Sequence, residues 1–457
     1  MAIPYMSLEI LNSVLEFAPK DTLMNARLAS TVFRESSARS LFGTVTLRNT
    51  TRSVRNVRQI LASQRLKRYV RTMHIIPRLA FRSSQPVAFL PWQTLVPELR
   101  YAFSDIHLSG NLSTFNIDFG GCSLTTCVGA NARIAEMDAF RSDLLCLFIT
   151  TLMFSRYGLS RSPMRALSIQ NFQSRSEHHI TYSPGFSNLL DHLKTLELSI
   201  LTIEHECTRS NERPMSTPSW DFYTMLPQVW LAPANILTTL RLSADSHWGY
   251  YPKVDFRNVN FEHLQTLVLD HFTFSHDWQR AWLLRHSMTL THLVFSRCSI
   301  LQDVWFKGNL DGDGYPTGLQ REMLPAEATT YNYHTGWSDY LNTMSDSLTR
   351  LRSFSLIDED SRVVVANEVA TVLHADRYLG FDFGYYIAVA NHDTLEETDE
   401  ETEDPNSQLP HSMITGHGPQ MRERRLALAR QYLEDERALR GLLDKVIQRN
   451  MRMGSRY

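Results

Sequence analysis

One short apolar pattern recurs along most of the chain and constrains its fold more than any other feature. The unit is apolar-x-x-apolar-x-apolar. Eight copies start at Val70, Leu112, Met164, Leu193, Leu237, Leu264, Leu290 and Leu351. The last two apolar positions of each copy are separated by one residue, which is polar in six of the eight copies, as in a strand with one buried face. The first position is expected to pack the turn that leads into the strand. The pattern therefore predicts a series of strands, one for each copy.

The spacing of the copies resembles that of leucine-rich repeats. Leu264 follows Leu237 by 27 residues, and Leu290 follows Leu264 by 26, whereas such repeats are about 20–29 residues long. Other gaps are wider and no asparagine recurs after the strands, so the repeats would be degenerate and separated by insertions. The resemblance implies an irregular solenoid over residues 69–390, in which strands line a concave sheet. The alternative is a sheet of unrelated strands that share the pattern.

The N-terminal residues 1–47 are expected to form a module of three short helices. The first helix carries an apolar stripe at helical spacing, formed by Ile10, Leu11, Val14, Leu15 and Phe17. Pro19 is expected to end it, because a helix usually stops before a proline, and Asp21 is expected to cap the second helix. A third helix is expected from Thr31. Chains of about 40 residues seldom bury enough surface to fold alone, so the module is expected to need a partner.

This module resembles an F-box. The family pattern is matched by Met6, Glu9, Ile10, Leu11, Val14, Leu15, Asp21, Leu23, Leu28, Ser30, Phe33, Leu41 and Phe42. The chain departs from it at Ser7, where the pattern has proline, and at Ala29, where it has valine. The resemblance, closest to fungal-type F-box proteins, implies binding to a Skp-type adaptor and through it to a cullin scaffold. The adaptor contacts that it implies are Met6, Ile10, Leu11, Val14, Leu15, Leu23, Leu28 and Phe33.

Long insertions between the predicted strands are candidates for binding a target protein. Segments 202–233, 245–252 and 301–340 combine polar residues with clustered aromatic ones. Loops on a rigid scaffold often carry binding surfaces, and Trp and Tyr are enriched at interface hot spots. The hypothesis is a target-binding face formed by Trp248, Tyr250, Tyr251, Tyr331, Tyr333 and Trp337. The alternative is that these aromatic residues anchor the loops to the scaffold.

The acidic sequence Asp-Gly-Asp-Gly at 311–314 faintly resembles a calcium-binding loop. The residues that follow it do not supply the further oxygen ligands of an EF-hand, so we interpret it as a flexible acidic turn.

The charges are unevenly distributed. Ten basic residues and no acidic ones lie between Arg48 and Arg82. A basic connecting helix is expected over 48–68, with Arg52, Arg55 and Arg58 on one face. An acidic partner or nucleic acid could use this face, but the absence of interleaved aromatic residues argues against nucleic acid. The favoured interpretation is a solvated outer helix.

The C-terminal part of the chain begins with an acidic stretch. Residues 393–404 include eight acidic residues in twelve, which predicts a disordered segment over 391–419. An arginine-rich helix is expected over 420–457, where it could cap the end of the solenoid because terminal repeats need a polar cover.

Composition narrows the class of protein. The net charge of -2 gives no general attraction to nucleic acid, and no apolar run reaches the roughly 18 residues of a membrane span. The five cysteines include no Cys-x-x-Cys pair, which indicates reduced thiols in an intracellular protein of the cytoplasm or nucleus. No catalytic motif, metal-ligand spacing or cofactor fingerprint is found, so no enzyme activity, metal or cofactor is expected.

The expected fold class is α+β to α/β, with an F-box-like module, an irregular leucine-rich-repeat solenoid with long insertions and a C-terminal helix. The expected function is that of a non-catalytic substrate-recognition subunit of a Skp–cullin–F-box type ubiquitin ligase. Two alternatives stay open. One is a non-ligase repeat scaffold whose N-terminal helices only cap the solenoid. The other is a hydrolase or transferase of unfamiliar type that uses the aromatic loops as a pocket.

Overall fold

A computed structural model describes much of the chain as a mixed α/β fold in which most strands pair in parallel. The described residues are 7–48, 50–76, 111–120, 141–150, 164–174, 181–201, 217–306, 310–316, 329–357, 363–366, 385–390 and 419–454. The chain divides into two compact units. The first comprises residues 1–172 and 177–196, and the second comprises residues 173–176 and 197–457. The boundary between them lies inside the predicted repeat domain.

The first unit begins with three helices and continues with strands. Its elements are α1 (Leu8–Glu16), α2 (Lys20–Ala29), α3 (Thr31–Gly43), β1 (Thr44–Arg48), α4 (Thr51–Ala62), a 3-10 turn (Lys67–Tyr69), β2 (Thr72–Ile76), β3 (Thr114–Asp118), β4 (Ala166–Gln173) and α5 (Pro184–Leu190). Residues 141–150 are also helical. Strand β5 (Thr195–Leu201) starts at the end of this unit.

The three predicted N-terminal helices are present, with one correction at a cap. Helix α1 ends before Pro19, as predicted, and the Ser7 hydroxyl caps it by accepting a hydrogen bond from the Ile10 amide at 3.4 Å. Ser7, where the F-box pattern has proline, is therefore the N-cap of α1. Asp21 does not cap α2, because the helix already begins at Lys20. It lies in the first turn, where its charge is favourable to the helix dipole.

Strand β1 is an element that the sequence analysis missed. The segment from Phe42 to Leu47 fits the same apolar pattern as the eight copies, and Val45 and Leu47 are buried. Strand β1 pairs with β2 in parallel. Helix α3 ends at Gly43 and β1 begins at the next residue, so the helical module passes into the sheet with no linker.

All eight predicted segments carry a strand. These strands are β2 to β5, β6 (Thr239–Ala244), β7 (Thr266–Asp270), β9 (His292–Ser296) and β12 (Ser353–Ile357). The first apolar residue of every copy is buried, as expected for a side chain that packs the turn before the strand.

Within each unit, equivalent apolar positions of neighbouring copies are paired. In the first unit, Phe115 of β3 lies beside Met73 of β2 and Leu167 of β4. In the second unit, the order is β6, β7, β9 and β12, and Leu293 of β9 lies beside Leu267 of β7 and Phe354 of β12. The alternating pattern thus places one apolar row after another on the same face of the strands.

The second unit adds several elements around its parallel strands. They are α6 (Thr217–Met225), a π-helical turn (Leu226–Leu231), β8 (Thr273–Phe274), α7 (Asp277–Leu284), β10 (Ser299–Phe306), β11 (Thr329–Asn332), α8 (Trp337–Ser347), β13 (Val363–Ala366), β14 (Tyr385–Ala390) and α9 (Pro419–Gly454). Strand β10 pairs with β11, β14 and β8 in a small second sheet.

The segments interpreted as insertions therefore contain regular structure. Helix α6 lies in segment 202–233, and β10, β11 and the start of α8 lie in segment 301–340. The signal for α8 was present in the sequence, because Trp337, Tyr340, Leu341 and Met344 follow helical spacing and are all buried. Residues 202–216 lie outside the described residues.

The predicted C-terminal helix is present as α9, and it packs along α8. The buried Asp435 carboxylate accepts a hydrogen bond from the Ser338 amide at 2.6 Å, at the N-terminus of α8. The Arg449 guanidinium donates to the carbonyl oxygens of Ser345 and Leu348, at 2.7 and 2.8 Å, at the other end. Both contacts match the charge of the helix dipole. The acidic residues 393–404 lie outside the described residues.

Candidate docking surface

Helices α1–α3 expose a concentration of large apolar side chains. The exposed residues are Ile10, Val14, Phe17, Met24, Leu28 and Val32. They account for six of the ten exposed large apolar residues in the described part of the chain. Ile10 and Val14 on α1 and its C-cap residue Phe17 are separated by four and three residues, so they share one face. Such a concentration is typical of an interaction site, since isolated exposed apolar residues are scattered over ordinary surfaces.

A second set of apolar residues forms a small core beneath this surface. Leu11, Leu15 and Leu23 are buried together, and Phe33 and Leu41 are partly buried against them. Helix α1 thus has two apolar stripes, one facing the module's own core and one facing outward. Covering an exposed Leu or Phe side chain would contribute about 1.5–3 kcal/mol. The outward stripe is therefore a surface that gains from a partner.

The predicted adaptor contacts divide accordingly. Ile10, Val14 and Leu28 are exposed, with Leu28 at 82%. The correction concerns Leu11, Leu15 and Leu23, which are buried in the module and present no surface to an adaptor, and Phe33 packs with them. Met6 lies outside the described residues.

The sequence analysis also missed Phe17, Met24 and Val32 as surface residues. Helical spacing could have indicated Phe17, which lies seven residues after Ile10 and three after Val14.

The helical module is held to the strands by a carboxylate on α3. Glu35 forms an ion pair with Arg68, accepts a hydrogen bond from the Tyr69 hydroxyl and lies 3.5 Å from Arg65. The hydrogen bond from Tyr69, followed by the charges of Arg68 and Arg65, lowers the pKa of Glu35. These contacts join α3 to the 3-10 turn that leads into β2.

The six aromatic residues predicted to bind a target lie mostly in the interior of the second unit. Trp248 and Trp337 are 0% exposed, and Tyr250 and Tyr333 are also buried. Tyr251 and Tyr331 are partly buried. Trp248 donates a hydrogen bond to the Asp270 carbonyl oxygen at 2.7 Å. As placed, these residues anchor their segments and do not form an open binding face, which corrects the hypothesis drawn from their composition.

Part of this set forms an aromatic cluster with the turn at 311–314. The rings of Tyr250 and Tyr331 are 6.1 Å apart, and both stack near His276. The Tyr250 hydroxyl donates to the Gly314 carbonyl oxygen at 2.9 Å. Burial raises the pKa of Tyr331 to about 12, so its hydroxyl stays protonated at neutral pH.

The acidic turn is fixed by ionic contacts, in contrast to the flexible turn that was predicted. Lys253 pairs with Asp311 at 2.6 Å, and Arg257 pairs with Asp313 at 2.6 Å. The other carboxylate oxygen of Asp311 accepts hydrogen bonds from the amides of Asp313 and Tyr315. The oxygen atoms of Asp311 are thus occupied by the chain itself.

Among the residues that the structure describes, no three His, Cys, Asp or Glu side chains converge as metal ligands would. Within the same residues, no helix combines the length and apolar character that a membrane span requires. Comparison with known proteins adds no family, because no protein-family model and no curated protein matches the chain.

Proposed function

We propose that this chain is the substrate-recognition subunit of a Skp–cullin–F-box type ubiquitin ligase. In this proposal, α1–α3 bind the adaptor and the strand-rich part of the chain binds a target protein. The observation that carries the proposal is the exposed apolar surface of α1–α3, which includes Val14, Phe17 and Leu28. The catalytic chemistry would belong to other subunits of the ligase, and this chain would contribute binding alone.

The strand-rich part supports the proposal through a repeated turn after the strand. The segment from Leu290 to Ile300 fits the longer repeat pattern L-x-x-L-x-L-x-x-N/C-x-L, with Cys298 at the asparagine or cysteine position. Cys298 is buried, and its Sγ donates to the carbonyl oxygen of Leu269 on the neighbouring strand at 3.3 Å.

Equivalent residues in two other copies support the same interpretation. Phe172 and Phe272 occupy the position of Cys298 and are buried. The residue just before this position has a positive φ in all three copies, with 55° at Asn171, 55° at His271 and 48° at Arg297. Non-glycine residues seldom adopt this conformation, so its recurrence at one pattern position favours true repeats over unrelated strands.

The main alternative is a non-ligase repeat scaffold in which α1–α3 only cap the first strand. The direct passage from α3 to β1 suits a cap. A terminal cap should however present a polar outer face, and Phe17 and Leu28 are 87% and 82% exposed. This exposure favours adaptor binding over the cap alone.

The test is co-purification of the full chain with a Skp-type adaptor. The surface variant is Val14→Asp with Phe17→Asp. The matched control is Met288→Asp with Leu433→Asp, which places the same charges on exposed apolar residues of the second unit. We expect the wild type and the control to capture the adaptor and the surface variant to lose it. Capture by none of the three, or equal capture by all, would overturn the proposal.

A further inference from the structure

Segment 310–316 contains the acidic turn, and the rest of the second unit holds it as a bound peptide would be held. Its own backbone closes the turn, because the Asp311 amide donates to the Tyr315 carbonyl oxygen at 2.8 Å. Among the described residues, no backbone-to-backbone hydrogen bond joins it to another segment. Its contacts run through side chains, as where His276 Nε2 lies 2.7 Å from the Asp313 carbonyl oxygen. The segment is thus a self-contained turn docked on the residues around it.

The ring of Tyr315 lies in an aromatic slot that other segments form. Tyr315 is 0% exposed. Its ring centroid lies 4.2 Å from that of His276, with the ring planes 13° apart, and 5.5 Å from that of Tyr250. The Lys253 ammonium lies 4.4 Å from the same centroid. Stacked rings attract one another and a cation is attracted to a ring face, so the slot suits an aromatic side chain.

The slot selects glycine at the position before this ring. Gly314 has a φ of 88°, which residues with a side chain rarely adopt. A Cβ atom added there would lie 2.6 Å from the ring of Tyr331. The Gly314 carbonyl oxygen also accepts a hydrogen bond from the Tyr250 hydroxyl at 2.9 Å. A chain with the sequence Gly-Tyr can therefore enter the slot, whereas one with a larger residue before the ring cannot.

Two cations beside the slot take carboxylate partners from the segment. Lys253 pairs with Asp311 at 2.6 Å and lies 3.9 Å from Asp313, and in the described part of the chain its ion pairs are with these two aspartates alone. Arg257 is shared between Asp313 and Asp255, at 2.6 and 2.7 Å. Because a partly buried charge is costly without a partner, whatever occupies the slot must bring a carboxylate to Lys253. The slot is therefore selective for acidic sequences.

We propose that this slot recognises an acidic segment of a partner protein with the sequence type Asp-x-Asp-Gly-Tyr, and that segment 310–316 occupies it as an autoinhibitory contact. The slot residues are Tyr250, Lys253, Arg257, His276 and Tyr331. The occupant seen in place defines the chemistry of the ligand, because it supplies two carboxylates, a glycine and an aromatic ring in a fixed order. A partner segment would place its carboxylates on the two cations and its ring between His276 and Tyr250. This inference does not depend on adaptor binding.

The test measures binding of labelled peptides to the full chain by fluorescence anisotropy. The probe has the sequence of residues 310–316, L-D-G-D-G-Y-P, and its two counterparts replace both aspartates with asparagine or the tyrosine with alanine. The released variant is Asp311→Asn with Asp313→Asn. The matched control is Glu434→Gln with Asp444→Asn, which changes the net charge equally at exposed positions of α9.

We expect the wild type and the control to bind the probe weakly, because the tethered segment competes with it at a high effective concentration. The released variant should bind the probe at least about tenfold more tightly, since a larger fraction of its slots is open. Both counterpart peptides should bind it weakly, and adding Lys253→Met should abolish the gain. Equal binding by the released variant and the control would overturn the proposal. A gain that persists with either counterpart peptide would also overturn it.

A second release leaves the charges unchanged. Gly314→Ala brings a Cβ atom against the Tyr331 ring, so it should displace the segment and give a similar gain in probe binding. In both released variants the thermal unfolding midpoint should stay close to that of the control, because a docked segment can leave without unfolding the strands. A much lower midpoint in both would show that segment 310–316 is part of the fold itself, which would overturn the proposal.

Discussion

Two regions of this chain are rich in large apolar side chains, and the structure places them in opposite environments. In α1–α3, Phe17 and Leu28 face solvent, whereas in the second unit Trp248 and Trp337 are fully enclosed. Three short helices have only one side on which to bury apolar groups, so a second apolar stripe stays outside. In the second unit the large rings pack against one another, as Trp248 does against Phe272 and Trp337 against Phe274. The number of packing elements nearby, more than the residue type, decides which region leaves large apolar side chains exposed.

The largest effect is expected from removing an enclosed ring. Trp337→Ala should lower the free energy of unfolding by about 3–5 kcal/mol, because its ring packs against Phe274 and Phe295 with ring centroids 5.7 and 6.0 Å away. The measurement is urea denaturation, with the exposed Met288→Ala as control, which should change stability by less than about 0.5 kcal/mol. A Trp337→Ala protein of wild-type stability that has lost a partner would restore the binding-face hypothesis.

A matched pair on a single helix sharpens the comparison. Leu23 is buried and Leu28 is 82% exposed, and both lie on α2. Leu23→Ala should cost about 2–5 kcal/mol of stability, whereas Leu28→Ala should leave stability within about 0.5 kcal/mol and weaken adaptor binding. Thermal unfolding and adaptor titration distinguish the two. Similar stability losses in both variants would show that α2 has no outward face.

We expect low pH to destabilise the second unit because it contains buried histidines. Helices α1–α3 contain no histidine and should not share this effect. Burial, followed by the charge of His271, lowers the pKa of His247 to about 4, and burial also lowers the pKa of His276 and His286. The unfolded chain therefore binds protons near pH 6.5 that the folded chain does not. The stability that these histidines contribute is complete above this pH and is lost as the pH falls towards 4.

The expected loss from His247 alone is about 2 kcal/mol between pH 7.5 and 4.8, at about 1.4 kcal/mol per pKa unit. Urea denaturation at the two pH values measures it, and His247→Gln should reduce the difference, while His263→Gln, at an exposed position of the second unit, should not. The carboxylates whose pKa is lowered, such as Asp270, act only below their ordinary value near 3.8. An equal pH dependence in wild type and His247→Gln would contradict this assignment.

The smallest effect is expected where α9 caps α8. Asp435→Ala removes the carboxylate that accepts the hydrogen bond from the Ser338 amide, and loss of such a cap costs about 0.5–2 kcal/mol. Asp444→Ala, at an exposed position on the same helix, should have no measurable effect on the thermal midpoint. If the two variants have the same thermal midpoint, the hydrogen bond between Asp435 and Ser338 does not stabilise the packing of α9 on α8, where Trp337 lies.

The strands were predictable from sequence because a strand with one buried face has a recognisable local pattern of alternating apolar and polar residues. The copies at Leu193 and Leu237 alternate apolar and polar residues over their strands, and the same pattern was present but overlooked at Val45 and Leu47 of β1. The three N-terminal helices and α9 were predicted from the same kind of periodic pattern, whereas α8 was missed although its buried residues follow helical spacing. Exposure was not predictable, because Leu11 and Ile10 are adjacent and chemically alike, and only the packing of α2 and α3 against α1 separates the buried stripe from the outward one.

The burial of the aromatic segments was also not predictable from sequence, because it depends on contacts between residues far apart in the chain. Trp248 is buried because Phe272 and Phe256 lie against it, with ring centroids 4.8 and 6.2 Å away. Contacts of this kind depend on how distant segments meet, and a loop rich in aromatic residues carries no local sign of them. The ionic contacts of Asp311 with Lys253 were hidden for the same reason.

The absence of a linker between Gly43 and Thr44 has a geometric consequence. Helix α3 continues directly into β1, and Glu35 contacts Arg68 and Tyr69. The first strands and the helices are therefore expected to move as one rigid body. A partner bound to α1–α3, as proposed, would therefore also fix the orientation of those strands. Two glycines inserted after Gly43 would leave the exposed surface of α1–α3 and the strands themselves unchanged, but would remove the fixed orientation between them. Such a variant would separate the affinity of α1–α3 for a partner from the orientation of anything bound to the strands.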